Sequence, residues 1–174
     1  DYFTIDKQKI DFVEVVDSSV YSATYLALSK NISVNYHTAF EELDFYGDIE
    51  RLHQMIMAVI NNAIKFSLND QPVEIELSKN DIHAVLSITN YGKPIPPNLL
   101  PYIFERYYKT NEEGGGTGLG LSIAKKIAER HGIEIIVSSK EEFTRFSFII
   151  PLATAHMNIN IDEKVNLSTN NQEK

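Results

Sequence analysis

The chain contains no cysteine and no tryptophan. Without thiols it can build neither a disulfide framework nor a thiolate-bound metal centre, a composition that suits the reducing cytosol. Basic charge is also scarce: 16 Lys and Arg face 24 Asp and Glu, for a formal net charge of −8. That balance opposes a broad phosphate-neutralising surface, so nucleic acid is not an expected partner. No apolar run approaches the ~18 residues that a membrane span requires, and no charged-then-apolar leader can be read, so direct membrane insertion is not expected either. What is there is a chain of 174 residues, 43% hydrophobic and 23% charged, long enough for one domain with a sizeable core.

Hydrophobic periodicity predicts the elements in turn. Residues 10–16 read as a short strand and 16–30 as a helix, with apolar groups at Val16, Val20, Ala23, Ala27 and Leu28. Asn31 stops that helix, the alternation of Ile32, Val34 and Tyr36 predicts a half-buried strand, and 43–46 offers a short partner before the Gly47-Asp48 turn. From Ile49 to Phe66 the apolar positions Leu52, Met55, Ile56, Val59, Ile60, Ala63 and Ile64 form a continuous stripe at helical spacing. A hairpin follows, 73–77 with 85–89 about a Lys79-Asn80-Asp81 turn. Residues 122–130 predict a third helix ending near Gly132, and 133–137 with 145–150 a second hairpin closed by Pro151. Residues 90–101 and 112–120 read as loops, and the second holds five of the chain's eight glycines. Beyond Ala155 the composition turns polar, so 156–174 is expected to be a tail that need not be ordered. The predicted class is α+β: a two-layer sandwich with a mixed, mostly antiparallel sheet covered on one face by about three helices.

The chemistry gathers first in GGGTGLGLSIAKKI, Gly114 to Ile127. Glycines let backbone N–H groups approach phosphate oxygens, and a helix that opens at once behind them aims its positive end at the same place. A glycine-rich loop alone serves as well for a surface loop. No Lys-Ser or Lys-Thr follows it, and no strand leads directly into it, so neither the P-loop nor a dinucleotide fold fits.

GTGLGLSIAKKIAERHG resembles the second glycine box of the GHKL superfamily, which contains histidine kinases, gyrase-type topoisomerases, MutL and heat-shock chaperones. Upstream, INNAIKFS at 60–67 resembles that family's N box, and ITNYGKPIPPNLLPYIFERYYK at 88–109 its first glycine box followed by a phenylalanine box. The boxes stand in family order, and FSFIIP at 146–151 resembles the closing hairpin, so the likeness covers roughly 10–151. The phenylalanine box and the short connection at 110–113 point, within the superfamily, to the ATP-binding catalytic domain of a sensor histidine kinase, with a Bergerat-type fold. The domain is then expected at 10–155, behind a linker at 1–9 from an upstream helical segment.

The resemblance implies ATP and Mg²⁺ as cofactors and assigns roles residue by residue. Asn62, a neutral oxygen ligand suited to Mg²⁺, takes the metal. Lys65, one turn on, takes a phosphate as a point charge, although a solvated Lys reads equally simply. Asn90 stands where most members have an adenine-binding Asp; its carbonyl also accepts, without the charge. Gly92 gives close backbone approach, Pro94 replaces the family's next glycine, and Ile95 lines the base pocket or simply the core. Tyr108, Gly116, Thr117, Gly118, Leu119, Gly120 and Leu121 complete the nucleotide contacts, and Lys109 stands where an Arg often meets the transferred phosphate. Phe104 and Tyr107 are implied as a lid hinge, with plain packing equally compatible, and 110–116 is expected to order with nucleotide.

Ala58 departs furthest, since an Asn or Glu usually stands there to help order the metal water. No histidine carries the acidic and basic neighbours of a phosphoacceptor; His37, His53, His83, His131 and His156 read as surface or packing groups. The acceptor must therefore lie on upstream dimerisation helices of the same protein. The implied function is transfer of the γ-phosphoryl of Mg·ATP to that histidine in two-component signalling, by a cytoplasmic domain of a membrane-anchored kinase that serves a response regulator. The alternative is a nucleotide-binding regulatory module with weak or no kinase activity, suggested by Ala58, Asn90 and Pro94. A third reading, an anti-sigma-type serine kinase, fits the strand-helix start and the phenylalanine box less well.

Overall fold

The computed structural model describes residues 4–108 and 117–152. Among them the chain forms β1 (Gln8–Asp11), α1 (Phe12–Leu28), β2 (Val34–Thr38), β3 (Asp44–Gly47), α2 (Ile49–Phe66), β4 (Val73–Lys79), β5 (His83–Asn90), α3 (Gly120–His131), β6 (Glu134–Ser139) and β7 (Thr144–Pro151), with a single 3-10 turn at Leu100–Tyr102.

Asp11 explains why the first predicted strand is cut short. Its carboxylate accepts the Val13 N–H at 2.9 Å and caps α1, so the helix begins at Phe12 and buries Val13, Val15 and Val16 on its own period. The same oxygen accepts the Leu43 N–H, which anchors the segment after β2. β1 begins at Gln8, within the stretch expected as linker, and pairs antiparallel with β3, Gln8 opposite Gly47 and Asp11 opposite Asp44.

The main sheet has the order β2-β4-β5-β7-β6. β2 pairs parallel with β4, and every other neighbour is antiparallel. Alternation then sorts the faces: Ile75, Leu77, Leu86, Ile88, Phe146 and Phe148 are buried beneath the helices, while Glu76 and Arg145 stand on the open face. This is the α+β two-layer sandwich expected from the sequence. α2 forms its centre and buries all of the predicted stripe from Leu52 to Ile64.

Asp48 ties several parts together. Its Oδ1 accepts the Arg51 N–H and caps α2, while its Oδ2 accepts the Asp6 N–H at 3.0 Å from the incoming chain. Its own N–H donates to Nε2 of His131, at the end of α3, at 3.0 Å. An Nε2 that accepts obliges the neutral imidazole to carry its proton on Nδ1, which lies 2.8 Å from the Ile127 carbonyl and donates to it. Burial, the main influence, holds His131 below the usual histidine pKa; the Ile127 carbonyl and Asp48 oppose this, and Lys7 reinforces it.

A depressed histidine pKa means that the unfolded chain takes up a proton first, so this contribution is complete above about pH 6.5 and declines below it. Burial raises the Asp48 pKa, but the Arg51 and Asp6 N–H groups, Arg51 and His131 outweigh it and leave the carboxyl lowered, so its contribution is lost at lower pH still, below about 4. Thermal melts from pH 7.5 to 5.0 are expected to show a falling midpoint, with a shallower slope in His131→Gln. Equal slopes in the two proteins would assign the acid sensitivity elsewhere.

Candidate nucleotide site

The site is built where α2 ends. The Leu68 N–H donates to the Tyr91 carbonyl at 2.8 Å, which sews the segment after α2 to the loop after β5. Gly92 packs so closely against the last residue of α2 that a Cβ there would lie 2.0 Å from the Phe66 carbonyl oxygen. This is why a glycine is needed at 92, and the close approach brings Asn90 beside the turn that bears Lys65. Asn90, at the end of β5, is 3% exposed and buried among the core strands. Ile95 is fixed separately: its N–H donates to Ser139 Oγ at 2.8 Å, and that hydroxyl pairs with Thr144 Oγ1. The first glycine loop is thus attached to α2 at one end and to the β6–β7 hairpin at the other.

α3 opens differently from the other helices. Aspartates cap α1 and α2, whereas Leu119 precedes α3 with no side-chain cap. The first helical bond runs from the Ile123 N–H to the Leu119 carbonyl. The N–H groups of Gly120, Leu121 and Ser122 accordingly have no partner among the described residues, and the positive end of the helix dipole coincides with them. α3 starts two residues earlier than its predicted bound, which takes in Leu121 and carries Gly120 from the loop into the helix. Gly118 (φ +70) lies against Tyr107, itself at φ +63, and the Tyr107 N–H donates to the Gly118 carbonyl at 2.9 Å. Left-handed backbone at a tyrosine is uncommon and fixes a sharp turn there.

Asn62 and Lys65 lie on the C-terminal half of α2, Asn62 half-buried and Lys65 exposed with Nζ 5.1 Å from the Phe66 ring. A Cβ placed on Gly120 would stand 3.9 Å from the Ala58 methyl, so position 58 faces the start of α3. Phe104 packs edge-on to the core ring of Phe146, with Lys125 over its face, whereas Tyr107 is 71% exposed. Tyr108 is half-buried against the core with Tyr102 beside it, Thr117 is exposed, and Leu121 packs on the core. Lys109, Gly116 and the segment 110–116 lie outside the described residues. A surface depression of about 660 Å³, lined by Ile10, Glu14, Ile49 and His53 among others, lies at the opposite end of α2 and holds none of the motif residues.

The model of the histidine kinase-, DNA gyrase B- and HSP90-like ATPase family matches residues 47–154, from the α2 cap through β7. The chain belongs to that family. Among its relatives are the sensor histidine kinase YkoH of Bacillus subtilis, 42% identical over 58% of this chain and 22% of YkoH, and the heme sensor protein HssS of Staphylococcus haemolyticus, 34% identical over 64% of this chain and 25% of HssS. The chain spans about a quarter of the length of these curated relatives. The catalytic domain of the histidine kinase ThkA superposes with a TM-score of 0.76 at 28% identity, over 84% of this chain and 96% of that one. The fold and the α2-to-β7 motif region are therefore those of a histidine kinase ATPase domain of the two-component type. None of the described helices is long and apolar enough to cross a membrane.

Proposed function

We propose that the domain binds Mg·ATP between the C-terminal half of α2, the loop after β5 and the start of α3, and passes the γ-phosphoryl to a histidine on a helical segment outside this chain. The observation that carries this reading is the uncapped start of α3: three N–H groups at a helix N-terminus, next to the half of α2 that bears Asn62, form a phosphate cradle. Asn90 supplies an amide at the buried end, where adenine would accept or donate through its edge. Ile95 and Tyr108 wall the base, and Thr117, Gly118, Leu119, Gly120 and Leu121 surround the phosphates, joined by Gly116.

No group of three or more acidic, His or Cys side chains that could hold a metal occurs among the described residues. A divalent ion would be held by the Asn62 carbonyl and by phosphate oxygens, with waters filling the rest, as Mg²⁺ prefers. When bound, Mg²⁺ neutralises phosphate charge. Lys65 and Lys109 add positive charge on the chain's own side, and the N–H groups of α3 hold the phosphates in line. In the transfer the P–N bond to the acceptor forms, the bond to the bridging oxygen breaks, and ADP leaves with that oxygen.

The partners proposed are the dimerisation helices of the same protein and a response regulator; ThkA has been solved in complex with the response regulator protein TrrA, with a TM-score of 0.73 to this chain. The domain is proposed to work on the cytoplasmic side of a membrane-anchored kinase. The sensor-kinase relatives favour this reading over a purely regulatory module. Calorimetry with a non-hydrolysable ATP analogue is expected to give one site per chain, tighter with Mg²⁺ than with EDTA. An absence of binding under both conditions would reject the reading.

A further inference from the structure

α2 and α3 run antiparallel and face each other at two places. At one, the Asp48 N–H donates to His131 Nε2; at the other, Gly120 faces Ala58. Between them Ala124, Ile127 and Ala128 of α3 are buried, and the small alanines let the helix sit close. The imidazole has little freedom. It is 5% exposed, its ring stacks on Phe45 with centroids 6.4 Å apart, and Phe45 in turn meets Phe12 edge-on at 5.6 Å. Both ring nitrogens are engaged, one by the preceding turn of α3 and the other by the cap residue of α2. The carboxylate of that cap residue also accepts the Asp6 N–H, so the chain entering the domain meets α2 and α3 at a single residue.

A packed apolar contact tolerates small sliding, because dispersion is non-directional. The His131 bond does not, since a hydrogen bond at 3.0 Å weakens steeply with distance and angle. A rigid helix about 18 Å long carries a displacement at one end to the other. The nucleotide end of α3 has no cap to hold it, so its alignment with α2 depends on contacts farther along the helix.

We propose that His131 is a positioning residue: by holding the Asp48 N–H it sets the axial alignment of α3 on α2, and so places the Gly120–Ser122 N–H groups relative to Asn62. This rests on the nucleotide reading above for its consequence, but the alignment itself does not need nucleotide to be observed.

The test uses the 174-residue chain and three variants. His131→Gln keeps an acceptor at the Nε2 position, His131→Asn keeps only the bond toward Ile127, and His131→Leu keeps neither. Amide exchange and affinity for a Mg-bound non-hydrolysable ATP analogue are measured on each, with a melt to establish folding; should the Leu variant not fold, the Asn variant carries the comparison. In the Leu and Asn proteins exchange is expected to rise at both ends of α3, including 123–126, and affinity to fall about fivefold, the low end of ordinary coupling between sites. The Gln protein is expected to match wild type in both. Faster exchange confined to 48–52 and 128–132, with unchanged affinity, would overturn the proposal and leave His131 a local structural group. If wild type itself does not bind the analogue, the nucleotide reading falls, and exchange at 123–126 alone decides the alignment role.

Discussion

Gly92→Ala is expected to destabilise the domain by about 3 kcal/mol, the upper range for forcing extra volume into packed structure. The obstacle is backbone: the new Cβ would lie 2.0 Å from the Phe66 carbonyl oxygen, and the carbonyl belongs to the last turn of α2. Relief requires the loop after β5 to move away from α2, and Asn90 moves with it. The melting midpoint should therefore fall by about 9 °C and analogue affinity by at least about tenfold. Gly132→Ala is the control. Gly132 ends α3, with φ +70, yet nothing lies within 4 Å of a Cβ built there. The cost is then only the left-handed backbone, about 1 kcal/mol, with affinity unchanged. Comparable losses in the two variants would mean that the contact at Phe66 relaxes cheaply and that the first glycine loop is not locked to α2.

The contrast also shows where the sequence was legible. Gly92 could be found as part of a motif, but nothing in the order of residues said that its neighbour would be the Phe66 carbonyl, a contact made across the gap from α2 to β5. α2 was readable throughout because its buried residues keep to a single helical stripe, so period and burial coincide from Leu52 to Ile64. The start of α1 was misplaced because Val13, Val15 and Val16 suit a strand by composition; Asp11, which accepts from both Val13 and Leu43, decides for the helix through a partner remote in sequence. His131 was read as surface or packing, and the packing is real, but its engagement with Asp48 depends on how two helices meet. The one available signal was its place beside the Gly132 terminus, which sets it in the last turn of α3.

Ala58 was read from the same ignorance of helix packing. By period it faces the side of Asn62, and the resemblance marked it as the loss of a group that helps to order the metal water. The neighbour across the helix pair is Gly120, at the start of α3. A small residue at 58 and a glycine at 120 face each other where the start of α3 passes the half of α2 that bears Asn62. A larger side chain at 58 would point at the start of α3 as well as toward Asn62, so the departure at 58 is not by itself the mark of a failed kinase.

Asn62→Ala should produce the largest functional loss with the smallest structural one. Asn62 is half-buried on α2, and its side chain makes no hydrogen bond among the described residues, so its removal leaves no partner unsatisfied. Alanine is also the better helix former. The melting midpoint should stay within about 2 °C of wild type. Affinity in EDTA should be unchanged, while the gain in affinity on adding Mg²⁺ should largely disappear, because the amide oxygen is the ligand proposed for the ion. Phosphoryl transfer depends on positioning and charge neutralisation, so single-turnover transfer to a supplied phosphoacceptor segment should drop about a hundredfold or more. Asn62→Asp separates ligation from shape, since it keeps an oxygen and adds a charge: it should retain Mg²⁺ dependence while weakening the nucleotide through repulsion of the phosphates. Should Asn62→Ala keep the full Mg²⁺ dependence, the metal would be held elsewhere, and the proposed role of this half of α2 would reduce to its contact with α3.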